Sequence, residues 1–198
     1  MKNNNNKKKR NVSHLLFLLI AIVPITTWAK PIINEKYEYY TVNPKSAEDL
    51  IKALNKASPL RKKNGQVLYG RLNFDMKWNY SWKTNNGQCQ MDTVTINLAI
   101  TFVLPKLKKT DPKIDRVWNK WYPNLIKHEN KHRDLAVRMA SRIENSFLGM
   151  PRKPNCEQLN NQANKIGMRL LDELDSQNVE YDNRTNHGES EGAWLKPL

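Results

Sequence analysis

Lys127-His128-Glu129-Asn130-Lys131-His132 sits inside a long run with helical periodicity. On a helix, His128 and His132 fall one turn apart on one face, so both imidazoles reach a single metal ion. Glu129 lies between them, placed to act on water at that ion. The flanks support the helix. Trp118, Trp121 or Tyr122, Leu125, Leu135, Met139, Ile143 and Phe147 recur at three- and four-residue steps, and the two histidines continue that stripe. Pro112 opens the element with Thr110 or Asp111 as cap, and Gly149, Pro151 and Pro154 close it. Pro123 either kinks this helix or marks the start of its metal-bearing part.

The residues before the helix supply a surface for it. Leu68, Gly70, Leu72, Phe74, Met76, Trp78, Tyr80 and Trp82 alternate with mostly polar residues, which is the period of a half-buried strand. Thr84-Asn85-Asn86-Gly87 is turn chemistry. Val94, Ile96, Leu98, Ile100, Phe102 and Leu104 then alternate in a second strand that Pro105 stops. The pair reads as a long hairpin with one apolar face, which downstream helices must cover. Lys36–Val42 is a further strand, and Leu50, Ile51, Leu54 and Ala57 stripe a short helix. After the motif helix, Asn155 caps a second amphipathic helix with Gln158 three residues on. Its stripe is Leu159, Ala163, Ile166, Leu170 and Leu174, and it is expected to end near Ser176. Val179 to Leu198 lacks periodicity and reads as a C-terminal loop. The expected fold class is α+β: a small antiparallel sheet with the long H-E-x-x-H helix and a second C-terminal helix packed on it, zincin-like in arrangement.

Residues 1–29 differ in kind from the rest. Lys2, Lys7, Lys8, Lys9 and Arg10 come with no acid, Leu15–Ile25 is apolar apart from Pro24, and Thr27-Trp28-Ala29 offers a small residue for cleavage. That order predicts a secretory signal peptide, with a single domain over residues 30–198. A run of eleven residues falls well short of the roughly 20 that span a bilayer, so no stable membrane insertion is expected once the signal is removed. Loss of the signal lowers the formal charge of +14 by those five to +9. The remaining cations are dispersed. An exported protein rarely meets nucleic acid, so anionic envelope material or acidic substrates are the expected neighbours. Two cysteines, Cys89 and Cys156, occur in the chain. In an exported protein an even pair without C-x-x-C spacing reads as one disulfide.

A catalytic zinc ion takes three protein ligands. The extended motif with Gly and His seven and ten residues after His128 is absent, because Leu135 and Arg138 stand there. Glu144 lies twelve residues past His132, roughly 18 Å along the helix, and cannot reach. Glu157 and Glu173 remain open on the next helix. His187, the only other imidazole after residue 29, is preferred because a loop can return it to the site. Asp182 is a candidate to orient a ligand histidine, and Tyr181 a candidate oxyanion donor.

The chain resembles a family of bacterial proteins read as secreted zinc-dependent proteases and long catalogued as a domain of unknown function. The likeness runs from the Tyr-rich strand Tyr37–Val42 through Trp78 and Tyr80, the Cys89 strand ending at Leu104-Pro105, and Trp118-Asn119-x-Trp121-Tyr122. It continues through His128-Glu129-x-x-His132 and Cys156 to Tyr181-Asp182-x-x-Thr185-x-His187-Gly188. Asn43-Pro44 departs from the glycine usual after the first strand, which touches a turn and not the chemistry. The resemblance implies that His187 belongs to the site.

The expected activity is hydrolysis of a protein or peptide substrate by an exported zinc metallopeptidase, periplasmic or secreted. One zinc ion is held by His128, His132 and His187, with Glu129 as general base. The rival expectations are a zinc hydrolase acting on a cell-envelope amide or peptide crosslink, and a non-enzymatic envelope-binding protein.

Overall fold

A computed structural model describes residues 30–108 and 111–197. The expected signal and its cleavage at Ala29 lie outside them. The order of elements is β1 (Ile32–Val42), α1 (Leu50–Ala57), β2 (Arg71–Asn85), β3 (Gln88–Leu107), α2 (Pro112–Leu148) and α3 (Cys156–Thr185), then a 3-10 turn at Glu189–Glu191.

The long hairpin is present. β2 pairs antiparallel with β3 from Arg71 opposite Val103 to Asn85 opposite Gln88. Asn86 and Gly87 turn the chain with φ of 49° and 74°. Two positive values in succession match the right-handed twist of the strands, which is why Asn-Gly suits this turn. The even-numbered residues of β3 from Val94 to Leu104 are buried.

The expected antiparallel sheet is instead mixed, with strand order β1-β3-β2. β1 runs parallel to β3, Ile33 opposite Leu98 and Tyr39 opposite Leu104. Parallel neighbours need a long crossover, and residues 43–87, with α1 and β2 inside them, provide it. Because β2 already occupies one side of β3, β1 takes the other.

α2 lies across the apolar face, burying Trp118, Trp121, Leu125, Met139, Ile143 and Phe147. The Asp111 carboxylate caps it by accepting from the N–H groups of Lys113 (2.9 Å) and Ile114 (3.4 Å). The helix is continuous through Pro123. Proline there removes one backbone hydrogen bond, and the buried Trp118, Trp121 and Leu125 around it hold the helix on the sheet.

α3 returns along α2 and covers the far end of the hairpin. Its cap is the predicted one: the Asn155 side chain accepts from Gln158 N–H at 2.9 Å. Trp78 Nε1–H donates to Asn164 at 3.1 Å and Tyr80 OH to Asn160 at 2.6 Å, tying β2 to the first turns of the helix. Cys89 and Cys156 are bonded, with Cα atoms 5.1 Å apart. This disulfide joins β3 to the start of α3 and encloses the whole of α2, a loop whose closure is worth about 4 kcal/mol in the chain-entropy model. Glu144 is buried on α2, and its Oε2 has no hydrogen-bond partner among the described residues. Burial pushes its carboxyl pKa up.

α3 does not stop near Ser176. It runs to Thr185, two and a half turns further, burying Tyr181 and Thr185. The apolar stripe fades after Leu174 because the same face now carries Asn178 and Asp182, which meet the histidines of α2. The first part of the stretch read as a loop, residues 179–185, is therefore helix, and that helix carries Asp182 to the site.

Candidate metal centre

α2 and α3 face each other where the motif lies. His128 is 5 % exposed and Glu129 4 %. His128 Nε2 is 3.3 Å from Asp182 Oδ1, and His132 Nε2 is 3.1 Å from the same oxygen. The three donor atoms lie within 4.8 Å of one another, and among the described residues this is the one cluster of three or more ligand-type side chains able to hold a metal. Ligands bound tetrahedrally at zinc distances of 2.0–2.1 Å stand about 3.3 Å apart. The two Nε2–Oδ1 separations match that edge.

The other ring nitrogens are occupied. His132 Nδ1–H donates to Asn178 Oδ1 at 2.8 Å. His128 Nδ1–H donates to Glu191 Oε2 at 3.0 Å. An oxygen on the far nitrogen fixes the tautomer and turns Nε2 towards a metal. Both histidines therefore present the same atom to the same place.

Charge follows geometry. Burial works to lower the His128 pKa, but its hydrogen bonds to the Asp182 and Glu191 carboxylates outweigh it and hold the ring above its ordinary range. Burial, Asp182 and Asn178 act likewise on His132, again with a net rise. Asp182 shows the converse: burial alone would raise it, yet the two imidazoles hold its carboxyl well below the usual range. A half-buried carboxylate facing two imidazoles favours positive charge, and a divalent cation supplies it without protons.

Glu129 is not one of the three donors. Desolvation raises its pKa, with the two histidines pulling the other way. Its carboxylate accepts from Leu72 N–H of β2. A Cβ at position 70 would lie 2.7 Å from Glu129 Oε1 and 3.0 Å from Leu125 Cδ1. Gly70 is thus the space in which the carboxylate sits. Glu129, His128 and His132 open onto a cavity of about 500 Å³ that Phe74, His187 and Trp194 also line. The cavity leaves room for water beside the carboxylate.

The remaining sequence candidates sit as follows. His187 lines the cavity, and its Nδ1 is 3.4 Å from Asp182 Oδ2, so it touches the outer oxygen of the carboxylate and stands outside the three-atom cluster. It follows Asn186 in a left-handed turn, with φ of 48° and 52°, an uncommon conformation for a non-glycine residue. Asp182, expected to support a ligand, is itself in the cluster. Tyr181 donates its hydroxyl to Glu191 Oε2 at 2.6 Å and stacks on His128 with ring centroids 5.0 Å apart. Its only proton is committed there, which fits a support for His128 and leaves none for an oxyanion. Glu157 lies in the first turn of α3 and Glu173 pairs with Arg142, and neither joins the cluster.

Gly70, Asn178, Gly188 and Glu191 were not among the sequence candidates. Asn178 carried a signal: it stands four residues before Asp182, one helical turn away, and would be recognised once α3 is extended. Glu191 carried none, since nothing in its spacing ties it to His128, sixty-three residues earlier.

No curated protein and no solved structure matches the chain. A family model described as bacterial protein of unknown function (DUF922) matches residues 37–188, a span that contains β2, β3, the motif on α2, Asp182 and His187. The chain belongs to that bacterial family.

Proposed function

We propose that this protein is an exported zinc metallopeptidase in which His128, His132 and Asp182 hold the ion and Glu129 is the general base. One observation carries the reading. Both imidazoles aim Nε2 at one oxygen of Asp182, while their Nδ1 atoms are taken up by Asn178 and Glu191. Two histidines and one carboxylate, with a further ligand position left open, are the donor set of a hydrolytic zinc site.

When bound, zinc supplies Lewis acidity and makes water acidic enough to react near neutral pH. The chain's own groups do the rest. Glu129 takes a proton from water as its oxygen adds to the substrate carbonyl carbon. The C–N bond then breaks, and Glu129 delivers that proton to the departing amine. Asp182 keeps its negative charge throughout, and His187 braces its second oxygen. The zincin-like label belongs to this reading, resting on a motif helix laid over a small sheet whose edge strand borders the cavity.

Export rests on the N-terminal pattern of residues 1–29, and the disulfide fits an oxidising compartment. A cell-envelope amide is the second substrate class the same groups would serve. Purified mature protein is incubated with casein and, separately, with crosslinked cell-wall fragments, with and without a chelator. New amino groups from casein, lost on chelation and restored by zinc, are the expected result. Release from cell-wall fragments alone moves the substrate to the envelope, and release unaffected by chelation ends the zinc reading.

A further inference from the structure

Beyond Asn186 the chain crosses α2 and presses on His128. Gly188 has φ of 83°, and a Cβ there would lie 2.9 Å from His128 Cγ and 2.8 Å from Ala193 Cβ. Only glycine lets the backbone lie this close to the ring. Two indoles anchor the segment that follows: Trp121 Nε1–H donates to Ala193 O, and Trp194 Nε1–H donates to His187 O, each at 2.8 Å. Between these anchors the turn at Glu189–Glu191 is closed by Glu191 N–H to Gly188 O at 3.1 Å.

This construction delivers one carboxylate oxygen to one ring nitrogen. Glu191 Oε2 accepts from both His128 Nδ1–H and Tyr181 OH. Tyr181 in turn stacks on the same imidazole, 22° from parallel. His128 is held by a stacked ring, a glycine and a carboxylate, whereas His132 has only the neutral Asn178 amide at its Nδ1. Glu191 lies three residues beyond the span that the family model matches.

We propose that Glu191 is a positioning residue that holds His128 as the Nδ1–H tautomer, keeps Nε2 aimed at Asp182 and sets the affinity of the site for its metal. The inference rests on the zinc reading and adds a device to it. A carboxylate on Nδ1–H makes Nε2 a more basic donor than an amide does, so the C-terminal turn makes His128 the stronger of the two imidazole ligands. Tyr181 holds the carboxylate in place through the second lone pair it occupies.

The test is zinc affinity, measured by competition with a chromophoric chelator on the full mature chain. Glu191→Gln keeps an acceptor and removes the charge, and a loss of about 10-fold is expected. Glu191→Ala removes both, with a loss of up to ~100-fold. Tyr181→Phe should fall between wild type and Glu191→Gln. The cobalt(II)-substituted protein reports the ligand field directly, and Glu191→Gln should shift its visible bands while the melting temperature of the metal-free protein stays that of wild type. If wild type binds zinc and both Glu191 variants bind it equally well with unchanged cobalt bands, the inference is overturned. The same follows if affinity falls only in step with a lower metal-free melting temperature. If wild type itself binds no zinc, the zinc reading falls and takes this inference with it.

Discussion

Glu129→Gln is expected to lower the hydrolytic rate constant by about 10³-fold, within the range for a lost general base, while the protein keeps its zinc. The glutamine has the shape of the glutamate and fits the space above Gly70, where a Cβ would stand 2.7 Å from the carboxylate. It retains an oxygen for Leu72 N–H. What it lacks is a basic oxygen to take a proton from water. Because Glu129 lies outside the donor cluster of His128, His132 and Asp182, metal content should not follow activity down. Turnover and zinc content measured on one preparation check both halves. A variant that keeps full activity removes Glu129 from the chemistry; one that loses zinc with activity makes it a ligand.

Asp182→Ala is expected to cost more zinc affinity than any other single change on α3, beyond the roughly 10- to 100-fold typical of residues that only support a ligand. Asp182 Oδ1 is the atom both Nε2 donors face, at 3.1 and 3.3 Å. Removing it takes away a ligand and also the charge that counters two imidazoles in a buried setting. His187→Ala should cost about 10-fold, because His187 touches only Oδ2 of Asp182, at 3.4 Å. Chelator competition on the two variants ranks them. If His187→Ala proves the more damaging, His187 is the third ligand and Asp182 its support.

The contrast between these residues shows what the sequence carried. Spacing alone put His128 and His132 on one helical face with Glu129 next to the first, and residue type gave the Asn155 cap and narrowed the other to Thr110 or Asp111. The hairpin turn and the cysteine pair were readable too. The direction of β1 was not readable, because alternation reports which face a side chain takes and says nothing about which way its neighbour runs. The end of α3 was hidden by polar residues on its packed face. Asn178, Tyr181 and Asp182 occupy positions where an apolar stripe would have continued, so the helix looked finished at the point where it becomes useful. Glu191 was beyond reach for a different reason: its partner is distant in sequence, and only the left-handed turn through Asn186, His187 and Gly188 brings the two together.

Two glycines frame the site from opposite sides, Gly70 under Glu129 and Gly188 against His128. Each removes a side chain where a side chain of the motif must sit. The motif is thus fitted into space that β2 and the C-terminal turn leave for it, with α3 bringing the carboxylate. The disulfide from β3 to the start of α3 fixes one end of that helix, and the turn after Thr185 fixes the other.

If His128, His132 and Asp182 hold a metal between α2 and α3, the purified protein carries it. Zinc per chain, determined by atomic emission on purified mature protein and on His128→Ala, tests this most directly. One zinc ion per wild-type chain and a near-zero value for the variant are expected. Equal and negligible zinc in both would contradict this.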